Sequence, residues 1–355
     1  MKYSTVILLL LCIYVISILC DKNNFFGGSD ETIFVSIPSY RDKDCKETLT
    51  NLYKNAKNPE LVFVGVLTQN KDESESCKVT NNDTHVIINE NVRYLNIDYK
   101  EAKGPLYART IIINKLFKNE KYFLLIDAHT KFAKNWDEKF IDQLKFIKNK
   151  GIKKPILSTY PNTTEEYDEN ENQIHVNHIC GVNAGNHYPT VLQAYHKPNG
   201  KFYRSFFIGA NCMFTFGKFF KEIKLDPSLK HIFNGEEVLI SILAYTNGWD
   251  IYTPAYNLLV HKYNETMEDK FSWYDDNKDN KDYSKDNDES LEKLKQIMTN
   301  PDFSKNYKYG IGNKRTLDSY WKELGFKRSE NEFHNKWTLE NRNRICNQQH
   351  TIDYK

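Results

Sequence analysis

Residues 121–129 read KYFLLIDAH, and this stretch decides the fold that the sequence predicts. The short apolar run that ends at Ile126 is typical of a buried strand, and Asp127 follows it directly. Two earlier runs have the same character, TIFVSI at 32–37 and LVFVGVL at 61–67. Runs this continuously apolar indicate strands of a parallel sheet that is covered on both faces.

Segments with helical patterns separate these strands. Residues 44–57 have helical spacing, Gly104 and Pro105 open a helix that continues to Phe117, and between 136 and 147 apolar residues recur at intervals of four, four and three. Strands that alternate with helices predict the α/β class, with a mostly parallel central sheet and flanking helices.

Polar residues follow each of the three strands: PSYRD at 38–42, QN at 69–70 and DAH at 127–129. In a sheet of this kind, ligands bind beyond the carboxyl ends of the strands. We therefore expect these three loops to line one cleft.

Asp127 and His129 are candidate metal ligands. A carboxylate and an imidazole two residues apart at the end of a strand can hold one divalent ion, and this mixture suits Mn²⁺ better than a site built of oxygen alone, with Mg²⁺ as the alternative. His261 directly follows a strand-like segment and is a candidate third ligand. The competing interpretation is structural, with Asp127 capping the next turn and the histidines at the surface.

Glu236 and Glu237 open a predicted helix after Gly235, a position that the helix dipole alone favours for acidic residues. Beside a metal, such a carboxylate could instead orient an acceptor hydroxyl or take its proton. Arg109, on a helix that enters the same cleft, is a candidate for bidentate phosphate binding, with a surface ion pair as the alternative.

Composition argues against a disordered chain and gives no support for a nucleic-acid-binding protein. A chain of 355 residues with 40% hydrophobic and 14% aromatic residues is globular and not disordered. The 49 Lys and Arg residues nearly balance the 47 Asp and Glu residues, for a net charge of +2, so nothing in the overall charge favours nucleic acid as a partner.

The first 24 residues predict a membrane anchor and a short stem. Residues 3–20 are apolar, follow Lys2, and reach the lower limit of the roughly 17–25 residues that span a bilayer. We expect an uncleaved signal-anchor, with a cleaved signal peptide as the alternative. The chain would then be a single-pass type II protein of the secretory pathway, in the Golgi membrane, with its catalytic domain in the lumen.

Sequons and cysteines agree with this compartment. N-x-T acceptors occur at Asn82, Asn162 and Asn264. Five of the seven cysteines lie outside the apolar segment, and the first pairings we consider are Cys45 with Cys77 and Cys180 with Cys212. Sequence alone leaves the connectivity open.

Beyond the anchor, the chain divides into three parts. Residues 25–270 carry the strand and helix pattern and are expected to form the catalytic domain. Residues 271–290 are dominated by Asp, Lys and Asn and predict a solvated polar loop. Residues 291–355 predict a small C-terminal helical lobe.

Taken together, the motifs resemble the GlcNAc-transferases of glycosyltransferase family 60, which act on hydroxyproline or threonine of polypeptides and are distant relatives of the mucin-type polypeptide GalNAc-transferases. The resemblance covers residues 33–326, and Ala128 stands where the family usually has Ser. The matching stretches are, in order, IFVSIPSYRDKDC (33–45), LVFVGVLTQN (61–70), GPLYAR (104–109), YFLLIDAHTKFAKNWDE (122–138), FNGEEVLISILAYTNGWDIYTPAYNLLVHKY (233–263) and YGIGNKRTLDSYWKELGF (309–326).

The resemblance implies a GT-A fold and a role for each matching position. Asp127, His129 and His261 would hold the metal. Glu236 and Glu237 would be the catalytic residues that face the sugar or the acceptor. The residues around the nucleotide sugar would be Pro38, Ser39, Tyr40, Arg41, Arg109 and Asp127.

The implied reaction is metal-dependent transfer of GlcNAc from UDP-GlcNAc to a Ser, Thr or hydroxyproline hydroxyl of a protein or glycopeptide, with retention at the anomeric carbon. One alternative keeps the fold but changes the donor to another UDP-sugar such as UDP-GalNAc, or the acceptor to a glycan. An alternative of another class is an inactive luminal module that binds glycoprotein.

Overall fold

The computed structural model describes residues 31–80, 91–164, 175–184, 189–263, 276–277, 279, 281–326, 345–347 and 350–354. Within these ranges, no helix has the length and apolar character needed to cross a membrane. The predicted signal-anchor at 1–24 and the sequons at Asn82 and Asn264 lie outside the described residues.

The described part contains thirteen strands and eight α-helices. The strands are β1 (Ile33–Tyr40), β2 (Val62–Asn70), β3 (Val92–Asp98), β4 (Tyr122–Ile126), β5 (Thr130–Phe132), β6 (Pro155–Ser158), β7 (His175–Ala184), β8 (Pro189–Pro198), β9 (Lys201–Ser205), β10 (Cys212–Phe216), β11 (Asp250–Thr253), β12 (Leu259–His261) and β13 (Thr351–Asp353). The helices are α1 (Cys45–Asn55), α2 (Pro105–Lys115), α3 (Trp136–Asn149), α4 (Phe219–Glu222), α5 (Glu236–Thr246), α6 (Lys281–Thr299), α7 (Pro301–Asn306) and α8 (Leu317–Glu323).

A nine-stranded sheet forms the centre of the molecule, in the order β13-β9-β11-β6-β10-β4-β1-β2-β3. Only β9 and β10 run against the direction of the other strands. The predicted α/β class with a mostly parallel sheet is therefore confirmed. The two other sheets pair β5 with β12 and β7 with β8.

Close packing of helix α2 against the sheet requires a glycine in β2. A Cβ atom on Gly65 would lie 2.4 Å from Phe34 Cζ and 3.1 Å from both Ile112 and Leu116. The bare backbone at Gly65 lets α2 lie directly on β1 and β2. This contact fixes the height of α2 above the sheet and therefore the position of Arg109, which α2 carries into the cleft.

Strand β1 continues past Pro38, where we expected it to end. Its pairing with β4 stops at Ser36, but its pairing with β2 runs through Tyr40. The extra residues bring Tyr40 and the following loop to the cleft at the carboxyl end of the sheet.

The polar segment before the C-terminal part is not all loop. The prediction of a solvated loop over 271–290 is wrong from residue 281 onward, where helix α6 begins. Tyr283, Ser290, Leu294 and Ile297 are buried along one side of this helix. Polar residues occupy the rest of its surface, so its composition resembles that of a loop although its spacing is helical.

The C-terminal residues do not form a separate helical lobe either. Strand β13 pairs with β9 at the edge of the central sheet. Leu317, Tyr320 and Trp321 of helix α8 are buried in the same hydrophobic core as the central strands. The chain therefore returns to the central sheet after α8.

One of the two predicted disulfides is present, and the other is replaced by a different pair. Cys45 and Cys77 form a disulfide as predicted, whereas Cys180 pairs with Cys346 and not with Cys212. Cys212 is a free thiol on strand β10, buried between β4 and β6. Cys212 is closer to Cys180 along the chain than Cys346 is, but separation along the chain does not decide which two cysteines meet in the folded protein.

The sequon at Asn162 serves a structural role. The residue is fully buried, and its Oδ1 accepts hydrogen bonds from the side-chain amides of Asn177 and Asn257 at 3.0 and 2.9 Å. Full burial leaves no room for a glycan on its Nδ2, so Asn162 gives no support for a luminal address.

The disulfide assignment can be tested by peptide mapping without reduction, which should recover Cys180 linked to Cys346. Because this bridge closes a long loop, Cys346→Ser should lower the free energy of unfolding by about 2–4 kcal/mol. Cys212→Ala, which removes one buried sulfur, should cost about 1 kcal/mol in the same urea titration. Recovery of a peptide that links Cys180 to Cys212 would contradict the assignment.

Candidate active site

A cleft of about 800 Å³ opens where the strands β1, β2 and β4 end, as the positions of the polar loops predicted. It is lined by residues from the β1 loop, from the loop after β4, from the start of helices α2 and α5, and from the end of β12. All but one of the residues predicted to carry chemistry line this cleft, and the exception is Ser39.

Three of the predicted residues converge on one point that could hold a metal. Asp127 and His129 follow strand β4, and the pairing of β12 with β5 places His261 opposite Thr130. One ligand atom from each of the three side chains lies within 4.8 Å of the other two. The Nε2 atom of His261 is 3.1 Å from Asp127 Oδ2, and the two imidazole rings are 4.5 Å apart.

The donor set fits a borderline divalent cation, since it combines one carboxylate with two imidazoles. Asp42 supports this arrangement, because its Oδ2 lies 2.7 Å from Nδ1 of His129. A carboxylate at Nδ1 fixes the ring and its tautomer and leaves Nε2 to face a metal. Asp42 thus belongs to the site, although no role was predicted for it.

Arg109 is buried between two carboxylates of the cleft. Its side chain is 3% exposed, one terminal nitrogen donates to Glu236 Oε1 at 2.5 Å, and the other donates to Asp127 Oδ1 at 2.7 Å. The second nitrogen also lies 3.3 Å from the carbonyl oxygen of Ala210. Arg109 therefore forms ion pairs, as the alternative predicted, but inside the protein and not at its surface. Its contact with phosphate stays a prediction.

The two glutamates at the start of helix α5 have different surroundings. Gly235 precedes them with a φ of +99°, a backbone conformation that favours glycine, and this turn aims both side chains inward. Glu237 accepts hydrogen bonds from the Ala210 N–H at 2.8 Å and from the Tyr160 hydroxyl at 2.7 Å. Glu236 Oε1 accepts from Arg109, while its buried Oε2 has no partner among the described residues.

The carboxyl groups differ in pKa as well. Burial raises the pKa of Glu236 to about 7, although the positive charge of Arg109 opposes the rise. Burial also acts against ionisation of Asp127, but the hydrogen bond with His261 and the charge of Arg109 outweigh it and hold the pKa of Asp127 well below its usual range. Two carboxyl groups that share one arginine thus differ in how readily each takes up a proton.

The predicted nucleotide-binding loop reaches the cleft in part. Pro38, Tyr40 and Arg41 line it, whereas Ser39 is fully buried and does not line it. The alternation of side chains along β1 explains the difference. Arg41 has a φ of +50° and pairs with Glu75 at 3.0 Å and with Asp276 at 2.9 Å.

A family model for glycosyltransferases, described as Glycosyltransferase (GlcNAc), matches residues 32–84 and 78–329. The chain belongs to this family. The match contains every residue that lines the cleft, and the prediction that the chain is a glycosyltransferase is confirmed.

Solved structures show only distant likenesses to this family member. One is GalNAc-T7 with UDP, GalNAc and Mn²⁺, at 15% identity and a TM-score of 0.48, with 78% of this chain and 58% of that chain covered. Another is S. aureus TarS (1–349) in complex with UDP-GlcNAc, at 13% identity and a TM-score of 0.42, with 78% and 76% covered. A search of curated protein sequences found no match.

This glycosyltransferase also carries site residues that the sequence did not reveal. Asp42 lies in a loop that we singled out, but only the fold pairs it with His129. Tyr160 follows β6 and reaches Glu237 across the cleft. No local pattern identifies either residue, because each acts through a partner that is more than 70 residues away in the chain.

Asp42 should determine the affinity of the metal site. Asp42→Ala is expected to weaken Mn²⁺ binding about 10–100-fold, because His129 loses the group that orients it. Asp42→Asn, which keeps an acceptor oxygen, should lose less. Titration of Mn²⁺ followed by electron paramagnetic resonance would measure both.

Asp44, two residues further along the same loop, offers a matched control for this experiment. Its carboxylate pairs with Lys262 and not with a histidine. Asp44→Asn should therefore leave Mn²⁺ affinity within about twofold of wild type. Equal losses in the Asp42 and Asp44 variants would contradict an orienting role for Asp42.

The raised pKa of Glu236 predicts a pH dependence of stability. In the unfolded chain this carboxyl group loses its proton near its ordinary pKa of 4.5, and in the folded chain near 7. Between these values the folded chain binds more protons, so the free energy of unfolding should fall as pH rises through this window. Relative to Glu236→Gln, the wild type should lose stability from pH 5 to pH 7 and change little above it. Urea titrations with EDTA at several pH values measure this difference, and parallel curves would contradict it.

Proposed function

We propose that this glycosyltransferase moves GlcNAc from UDP-GlcNAc to a Ser, Thr or hydroxyproline hydroxyl of a protein, with the help of a divalent cation. The observation that carries the proposal is the cleft in which Asp127, His129 and His261 meet beside the buried carboxylate of Glu236. The GlcNAc-transferase family match supports the choice of sugar.

Asp127, His129 and His261 would hold Mn²⁺ or Mg²⁺, and the ion would offset the charge of the donor diphosphate. Arg109 keeps Asp127 ionised and in position, and Asp42 holds His129. Both groups are locked before any substrate arrives, which is the preorganisation that lowers the free energy of a charged transition state.

The uridine end of the donor would lie toward the β1 loop. Pro38, Tyr40 and Arg41 line that side of the cleft, together with Gln69 at the end of β2. The ring of Tyr40 offers a face for stacking on a base. The sugar would then lie between the metal ligands and the glutamates of helix α5.

Glu236 would orient the acceptor hydroxyl or take its proton. Its Oε2 atom lies buried at the cleft without a hydrogen-bond partner among the described residues, whereas both oxygens of Glu237 accept hydrogen bonds from the protein. We assign Glu236 the contact with substrate and Glu237 the role of holding the loop at Ala210. Since neither carboxylate stands as a separate nucleophile, we favour displacement on the same face of the sugar, which retains the anomeric configuration.

The cellular setting is part of the proposal. The apolar residues 3–20 would anchor the protein in the Golgi membrane as a type II protein, with the cleft in the lumen. The two disulfides support an oxidising compartment.

Release of UDP from UDP-GlcNAc in the presence of Mn²⁺ tests the reaction, and addition of peptides with Ser, Thr or hydroxyproline identifies the acceptor. We expect Asp127→Ala/His129→Ala to lose at least about 100-fold in rate. Circular dichroism and the melting temperature control for folding of the variant. Equal activity of the variant and the wild type would refute the metal assignment.

The same assay separates the proposal from its alternatives. Faster release from UDP-GalNAc would change the donor and keep the mechanism. No release and no thermal shift with any UDP-sugar would favour a module that only binds glycoprotein.

A further inference from the structure

We infer that Lys262 is the residue that binds the donor diphosphate, and that it leaves Asp44 to do so. This inference deepens the proposed function and rests on it, because it requires a UDP-sugar in the cleft. The positive charges around the cleft differ in how far the protein already compensates them.

Four cationic side chains line the cleft: Arg41, Lys43, Arg109 and Lys262. Arg109 is buried and directs both terminal nitrogens to carboxylates, so its charge is already compensated by the protein. Arg41 pairs with Glu75, which is itself buried, and with Asp276. Neither arginine can turn toward a phosphate without leaving a carboxylate uncompensated, which is costly for a buried pair.

Lys262 differs from the arginines in both position and pairing. It directly follows His261, and its backbone N–H donates to the carbonyl oxygen of His129 at 3.3 Å. The side chain thus begins between the two histidines of the metal site. It is 41% exposed, and its Nζ lies 2.9 Å from Asp44 Oδ2. Lys43, by contrast, is an exposed residue of the loop before α1 and has no strand to position it.

The pair of Lys262 and Asp44 is easily exchanged. Both partners reach solvent, with Lys262 41% and Asp44 27% exposed, and ion pairs at the surface contribute little to stability, at most about 1 kcal/mol. A diphosphate offers the ammonium group two or more charged oxygens, and hydrogen bonds between charged groups are stronger than neutral ones. Asp44 therefore compensates Lys262 while the cleft holds no donor, and the diphosphate replaces Asp44 when the donor binds beside the metal ligands.

A comparison of UDP with uridine isolates this contact, because the two ligands differ only in the diphosphate. Isothermal titration calorimetry would measure UDP binding with Mn²⁺ present, and displacement would measure uridine. Lys262→Met should weaken UDP binding about tenfold and change uridine binding less than about twofold. Lys262→Arg, which keeps the charge, should restore most of the loss.

Two further variants sharpen the test. Asp44→Asn removes the competing partner and should tighten UDP binding about two- to fivefold, an effect opposite in sign to that of Lys262→Met. Lys131→Met is the matched control, since Lys131 lies on the neighbouring strand β5, pairs with Glu47 and does not line the cleft. It should bind both ligands as the wild type does.

The outcomes are distinct. Unchanged UDP binding in Lys262→Met, or an equal loss for uridine, would overturn the inference and leave the proposed function standing. UDP binding in Asp44→Asn that is unchanged or weaker would overturn the exchange between partners. A wild-type protein that binds neither UDP nor uridine would refute the proposed function and this inference together.

Discussion

The ion pairs of Arg109 with Asp127 and Glu236 are the interaction on which the site depends. They join three separate parts of the chain, since Arg109 lies on α2, Asp127 follows β4 and Glu236 opens α5. All three groups lie at the cleft wall, where a carboxylate without a counter-charge would be strongly disfavoured. The arginine makes it possible to bury two carboxylates at one cleft and lowers the pKa of both, while the hydrogen bond from His261 lowers that of Asp127 further and burial raises that of Glu236.

Because of this arrangement, the charged side chains of the cleft are suited to different roles. Asp127 stays ionised and turns one oxygen to His261, so the protein presents a site suited to a cation. Glu236 takes up a proton more readily and turns its second oxygen to the space where an acceptor would lie. Lys262 lies outside this buried network, and under our inference it would bind the charged diphosphate. A nearly neutral protein would then need no basic surface for such a ligand.

Local patterns predicted the framework well, because the strands β1, β2 and β4 are buried on both faces and their apolar runs are continuous. Local patterns gave wrong predictions where the composition of a segment does not reflect the contacts that it makes in the folded protein. Residues 281–290, the first part of helix α6, have the composition of a loop because few of them are apolar. Cys180 pairs with Cys346, which no local spacing indicates because the two are 166 residues apart. Ser39 belongs to the same motif as Tyr40 but does not line the cleft, because a motif does not state which side of the strand each residue occupies.

The sequence by itself was enough to predict the α/β class, the position of the cleft at the strand ends, and the three side chains that meet at the candidate metal site. These follow from periodicity and from the rule that parallel strands end at a common edge. Only the tertiary structure decided what each charge does. Asp42 pairs with His129, Arg109 pairs with two carboxylates, and Lys262 pairs with Asp44. The partners in these pairs are 18 to 218 residues apart in the chain. Electrostatic partners depend on distance in space, so only the folded structure could identify them.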